Sequence, residues 1–400
     1  MEKKKESRGE RLKQFILSQI EEKGPVPFSQ FMEWCLYHPD DGYYQSDDIR
    51  IGKEGDYYTG PCVHPLFGGM IAKQLLQMAE ILGEESFEVV EMGGGQGFLC
   101  QDILGWMEQR APHLFEKIRY SLLETGPHLL KEQKERLQEY EKTGKVSWMD
   151  PIVFEEGKKQ ITGCFLSNEL VDAFPVHQVV FDQGNLKEIY VTQLRGQLKE
   201  QLEELSNPEI ASTLRSMAIT LQEGQRAEVN LKALDWMERV GRLLEKGFVL
   251  TIDYGYLAPE LYAPHRSRGT LLCYYHHQIS ENPYERIGEQ DITSHVNFTG
   301  LIKKGEELGL HLAGLVPQYR FLIALGILQE MELLNQERSE LDKLRLRLSI
   351  LHLIEPESGM GEMFKVLVQY KGIPMPHLDG LRDLNTIPWP DTGKKTEGSL

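Results

Sequence analysis

The segment that most constrains this chain runs from Phe87 through Met92, continues as Gly93-Gly94-Gly95-Gln96-Gly97, and leads directly into 98–110. The first part is an apolar run of strand length. The last part spaces its apolar residues as a helix does. A strand, a glycine-rich turn and a helix in that order place the turn at the C-terminal edge of an open parallel sheet, where ligands bind. The flanking pattern agrees. Strands are expected at 118–124, 146–149, 161–166 and 248–252, with helices at 127–141 and 231–245. This alternation predicts an α/β fold with a parallel sheet covered on both faces.

The glycine spacing separates the ligands such a turn can hold. A dinucleotide fingerprint counted from Gly93 needs its third glycine at Phe98, but Gly97 comes one residue early. A phosphate loop needs Gly-Lys-Ser/Thr, which does not occur here. S-adenosylmethionine (SAM) carries a positive sulfonium and amino group, and no pyrophosphate. Glu91 beside the turn suits that charge. Gly93, Gly95 and Gly97 allow tight backbone geometry and close approach of a ligand. The plainer alternative is a tight strand-to-helix turn with no ligand.

Acids recur at successive strand ends. Glu124 ends the second strand and is placed to accept from ribose hydroxyls. Asp150 follows the third strand and is placed to accept from an adenine amino group. Ser167-Asn168-Glu169 ends the fourth. Any one of these is also a good helix cap.

With 44 Lys plus Arg against 61 Asp plus Glu, the net charge is −17. That surface repels nucleic acid in the absence of a local basic patch; none is evident, and the short run Lys3-Lys4-Lys5 sits at the terminus. It suits a protein substrate with a basic segment, or it serves solubility alone. Five scattered cysteines without a CxxC pair give no zinc or thioredoxin-type motif and imply reduced thiols, hence a cytoplasmic chain. No stretch reaches the roughly 20 apolar residues of a membrane span, and the N-terminus lacks a signal-peptide centre. The expected organisation is an N-terminal helical segment and loop (1–65), a core (66–180 and 228–371) holding a long irregular, lid-like loop (258–297), an inserted subdomain (181–227) and a tail (372–400). A homodimer is compatible with this organisation, but nothing in the sequence requires one.

Several further motifs occur together: Leu36-Tyr37-His38-Pro39 with Gly42-Tyr43-Tyr44; Gly55-Asp56-Tyr57-Tyr58-Thr59; the turn from Glu91 to Gly97; Ser167-Asn168-Glu169-Leu170-Val171-Asp172-Ala173-Phe174-Pro175-Val176; Ile252-Asp253-Tyr254-Gly255; Gly269-Thr270-Leu271; and the run from Gly288 to Phe298. In this combination the chain resembles the MidA-like family of SAM-dependent methyltransferases, over about 28–370. The resemblance implies a Rossmann-like class I methyltransferase core with a seven-stranded, mostly parallel sheet, an added N-terminal segment and an inserted subdomain. It places Glu91, Gly93, Gly95, Gly97, Glu124, Asp150 and Asn168 on the cofactor side. It also implies a protein arginine as methyl acceptor, on a respiratory complex I subunit in mitochondrial members. One departure stands out. Where the family usually has a small residue, Pro and Glu after the threonine, this chain has Gly60-Pro61-Cys62-Val63-His64.

An arginine acceptor is protonated and has no free lone pair. Carboxylates at the mouth of the site would orient it and take its proton. Glu169, Asp172 and Asp253 are the candidates. The alternative is that Glu169 and Asp172 pair with structural donors and that Asp253 shapes the Gly255 turn. His276-His277 are adjacent and cannot share a face, so no metal site is expected. His295 is a candidate base or a lid residue. Two other functions remain open at this stage: a small-molecule methyltransferase, and a SAM-binding assembly factor without catalysis. The full set of cofactor-side acids argues against the latter.

Overall fold

The computed structural model describes residues 7–46, 60–336, 338–356 and 360–384. The motif Gly55 to Thr59, the run Lys3-Lys4-Lys5 and much of the loop expected within 1–65 lie outside the described residues. Gly60–Val63 forms one helical turn.

The main sheet is built from β1 (Phe87–Met92), β2 (Ile118–Leu123), β3 (Val146–Trp148), β4 (Ile161–Asn168), β5 (Leu244–Tyr256), β6 (His311–Pro317) and β7 (Phe364–Lys371). Their spatial order is β6-β7-β5-β4-β1-β2-β3. β1 pairs in parallel with β2 and β4, β2 with β3, and β4 with β5. β7 runs antiparallel to both β5 and β6. The two-residue strand Val296–Asn297 adds to the end of β5, making an eight-stranded mixed sheet.

Strand neighbours point to opposite faces, and this sheet buries both. Val89 packs on one side with Leu75 and Leu104. Val90 packs on the other with Trp236, Met237 and Phe298. That is why the strands are continuously apolar and the covering helices amphipathic. The helices named below are α1 (Arg8–Lys23), α2 (Phe28–Tyr37), α3 (Leu66–Leu82), α4 (Phe98–Arg110), α5 (Pro151–Glu156), α6 (Leu231–Leu243) and α7 (Glu340–Ile354). Ser7 caps α1 by accepting from the Glu10 N–H at 3.2 Å. Leu12 and Ile16 of α1 share a cluster with Phe28 and Phe31 of α2 and with Val191 and Ile292.

Three expectations differ from the structure. The expected insertion at 181–227 is part of a five-stranded sheet that starts earlier, at His177–Asp182, and recruits Val26–Pro27 from the N-terminal segment. Within it, Gln197–Glu203 is a strand that the sequence reading did not single out. Its side chains are mostly exposed, so no apolar alternation marked it. The 258–297 stretch is not irregular. It carries the helix Ala258–Leu261 and a sheet of Leu272–Tyr275, Gln278–Ser280 and Asp291–Thr293. Strands this short cannot display a period. His276 and His277 are its hairpin turn, both at positive φ (48° and 59°). Finally, the expected tail is docked up to its last described residues. The Gly380 N–H donates to Gln74 Oε1 at 2.9 Å on α3.

Candidate active site

The C-terminal ends of β1, β2 and β4 open onto a cavity of about 440 Å³, within the size range of small-molecule sites. The turn after β1 forms its floor. Gly93, Gly95 and Gly97 adopt φ of 68°, 52° and 82°, the left-handed region that glycine enters without steric cost. A Cβ on Gly93 would lie 2.7 Å from Leu170 Cδ1. The turn is also held from outside. Gln133 Nε2 donates to the Gly95 carbonyl at 2.7 Å, and Arg136 Nε to the Gln96 carbonyl at 2.8 Å.

Of the six acids lining this cavity, Glu33 and Glu155 pair with cations of α6, and three stand at the ends of the main-sheet strands: Glu91, Glu124 and Glu169. Glu91 Oε2 accepts from the Tyr120 hydroxyl at 2.8 Å. Burial pushes its carboxyl up to about 7, against that hydrogen bond, and the charge of Glu124 adds to the rise. Glu124 Oε1 accepts from the Thr125 and Gly126 N–H groups at 2.9 and 2.8 Å, and Oε2 from Gln133 Nε2 at 3.2 Å. Burial raises it to about 6. Glu169 stands at φ 52°, an uncommon conformation for a side-chain-bearing residue. Its Oε1 accepts from the Gly60 N–H at 3.1 Å and from Asn168 Nδ2 at 3.2 Å. Burial, then the charge of Asp172, pushes it up to about 8. Among the described residues none of the three is ion-paired. The two cations lining the cavity, Lys232 and Arg239 of α6, pair instead with Glu33 at 3.7 Å and with Glu155.

The remaining candidates divide. Asn168 lines the cavity and steadies Glu169. Gly97 sits behind it, capping α4, where the Gln101 N–H donates to its carbonyl at 3.1 Å. Asp150 is not among the lining residues, although the next residue, Pro151, is. Its Oδ1 caps α5 by accepting from the Ile152 N–H at 2.8 Å, the alternative that its position allowed from the start. Asp172 and Asp253 lie beneath the cavity wall. Asp253 Oδ2 accepts from the Val171 and Asp172 N–H groups at 3.0 and 3.4 Å, and Oδ1 from the Tyr254 N–H at 2.9 Å. Asp172 Oδ2 accepts from the Tyr254 hydroxyl at 2.5 Å. Burial raises both carboxyls, and the charge of Asp172 adds to the rise at Asp253. The expectation that Asp253 faces the reaction is therefore corrected: its oxygens hold the turn after β4. Asp172 has the same framing role. Burial pushes His295 down to about 4, and it packs on Tyr254 and Tyr256. Among the described residues no group of three His, Cys, Asp or Glu side chains could hold a metal.

Some cavity residues were not identified as site residues from sequence. Tyr37 and Tyr44 stack at 5.5 Å between centroids and line the cavity. Tyr37 donates to the Ala173 carbonyl at 3.0 Å, and Tyr44 to Asp291 Oδ1 at 2.8 Å. Trp236 Nε1 meets Met92 Sδ at 3.2 Å beside the glycine turn. Pro61 and Cys62, where the chain departs from the family pattern, also line the cavity. For the two tyrosines the available signal was their place in the Leu36-to-Tyr44 motifs. For Trp236 it was the apolar stripe of α6.

Comparison with known proteins sharpens this geometry. Residues 70–316 match the model of a family described as "Putative S-adenosyl-L-methionine-dependent methyltransferase". Among curated proteins, the chain is 25% identical to the Drosophila melanogaster mitochondrial protein arginine methyltransferase NDUFAF7 homolog, over 91% of this chain and 86% of that one. It is 28% identical to the Danio rerio mitochondrial protein arginine methyltransferase NDUFAF7, over 88% and 84%. A Burkholderia thailandensis protein crystallised with S-adenosyl-homocysteine superposes with a TM-score of 0.83 at 29% identity, covering 93% of this chain and 95% of that one.

Proposed function

This chain belongs to that family of SAM-dependent methyltransferases, and we propose that it transfers the methyl group to an arginine side chain of a protein. The observation that carries the reading is the position of Glu169. Its carboxyl is raised by burial and has no ion pair among the described residues, and it lines the same cavity as the glycine turn and Glu91. The names of the Drosophila and Danio relatives support the choice of acceptor.

The residues present fit SAM. Three acids that line one cavity have no ion pair among the described residues, and a bound cation would offset the burial that raises them. Glu91 would hold the cationic side of SAM, Gly93 and Gly95 would allow its close approach, and Glu124 would accept from its ribose. SAM supplies an electrophilic methyl on a sulfonium. Asn168 and the Gly60 N–H hold the Glu169 carboxylate in place. Glu169 Oε then orients the guanidinium and receives the proton that its nitrogen releases as it gains the methyl. Much of the rate comes from holding the nucleophile in line. Within this reading the main sheet is a Rossmann-like class I core, 177–229 is an added subdomain, and the acidic surface favours a basic segment around the acceptor. Cytoplasmic placement is proposed on the scattered cysteines, which form no CxxC pair.

The test is to incubate the protein with methyl-labelled SAM and host lysate, hydrolyse the labelled proteins and identify the labelled amino acid. Methylated arginine is the expected result. Label confined to small molecules would replace this reading with a small-molecule acceptor, which the Cys62-lined wall would then have to explain. SAM binding without any transfer would replace it with a non-catalytic role.

A further inference from the structure

Helix α7 is apolar on two opposite faces. Leu346, Ile350 and Leu353 face the core at 3%, 1% and 0% exposure. On the other side Leu341, Leu344, Leu348 and Leu351 stand 57%, 53%, 57% and 38% exposed. Their spacing of three, four and three residues is the a/d seam of a two-heptad coiled coil. A solvated helix normally puts polar residues there, so four leucines in register mark a face built to be covered.

The residues flanking the stripe say what covers it. With Leu341 and Leu348 at a and Leu344 and Leu351 at d, Glu340 occupies g and Arg345 occupies the following e. In a parallel pair of helices, g of one strand faces e of the other, five residues on. A second copy of this helix therefore meets Glu340 with Arg345 twice, once on each side. An antiparallel arrangement about the centre of the stripe would instead bring the two Arg345 side chains together. Both charged groups are available for exchange. Glu340 is 90% exposed and held by Lys343 at 2.7 Å, and Arg345 is 71% exposed and held by Asp342 at 3.4 Å. Such exposed local pairs contribute little.

We propose that this chain forms a two-fold homodimer through parallel α7 helices, with Leu341, Leu344, Leu348 and Leu351 as the seam and Glu340–Arg345 pairs between copies. A two-heptad seam buries less than the roughly 800 Å² per partner of a standard interface, and the dimer is correspondingly weak. Its dissociation constant falls on the order of micromolar. The proposal is independent of the methyl acceptor.

Sedimentation velocity of the full chain across roughly 1 to 200 µM tests it, a range that brackets that affinity. A concentration-dependent dimer is expected. Leu344→Glu and Leu348→Glu, at exposed positions that leave the fold intact, should each give a monomer throughout. Glu340→Arg and Arg345→Glu should each weaken the dimer roughly tenfold, and the two changes in one chain should restore it. A wild-type chain that is monomeric at every concentration overturns the proposal. So does a dimer indifferent to Leu344→Glu, or a double exchange no better than either single one.

Discussion

Two sets of acids lie at the same edge of the sheet and do opposite things. Glu91, Glu124 and Glu169 line a cavity, and among the described residues none of them is ion-paired. Asp172 and Asp253, which are not among the lining residues, give their oxygens to backbone N–H groups and to Tyr254. All five are raised by burial. Burial alone therefore does not mark a functional acid. What separates the two sets is place: the three glutamates line the cavity while also accepting local hydrogen bonds, whereas both oxygens of Asp253 are taken up by backbone N–H groups away from the lining.

That contrast can be broken by substitution. The largest expected effect is on rate. Glu169→Gln keeps the hydrogen bond from Gly60 but removes the proton acceptor, so turnover should fall roughly 10²- to 10⁴-fold, with SAM binding little changed. If single-turnover transfer is unaffected, Glu169 is not the base. Asp253→Ala should act the other way. It strands the N–H groups of Val171, Asp172 and Tyr254, which costs about 3 kcal/mol or more. A drop of several degrees in melting temperature should accompany it, and an unchanged thermogram would remove Asp253 from its framing role. Gly95→Val forces a β-branched residue to φ 52°, a strain of roughly 1–2 kcal/mol. SAM affinity should fall about tenfold or more while the fold persists, as read by calorimetry and circular dichroism.

The smallest effect is one of pH. Glu169 has an ordinary value of 4.5 and is held near 8 in the folded chain. Between those values the folded state binds the extra proton, so stability declines as pH rises. Without ligand, the melting temperature should therefore fall from pH 5 towards pH 8, and Glu169→Gln should flatten that slope. A steeper slope in the variant would mean that other groups govern it.

The parts of this picture that could be read in advance are the local ones. The strand Phe87–Met92, its glycine turn and Glu91 are contiguous, and their spacing alone excluded a dinucleotide. Glu124 was equally legible, as the acid ending the next strand. What sequence could not separate was Glu169 from Asp253, because the donors that occupy Asp253 come from Val171 and Asp172, more than eighty positions away. Tyr37 reaches the cavity wall across a still longer gap, by its bond to Ala173. Asp150 was ambiguous for a different reason: the same residue at the same strand end serves either a ligand or a helix, and Pro151 after it favours the cap. The strands between Leu272 and Thr293 escaped notice because each is only three or four residues long.

The most direct measurement is a calorimetric titration of SAM at pH 7 in buffers of different ionisation enthalpy, on the native chain and on Glu91→Gln. Filling the cavity with a cation should drive protons off carboxyls held near 7 and 8, so binding should release protons. Glu91→Gln should bind roughly tenfold more weakly and release fewer. Equal affinity in the two chains, with no proton released by either, would contradict the assignment of this cavity's acids to a cationic cofactor.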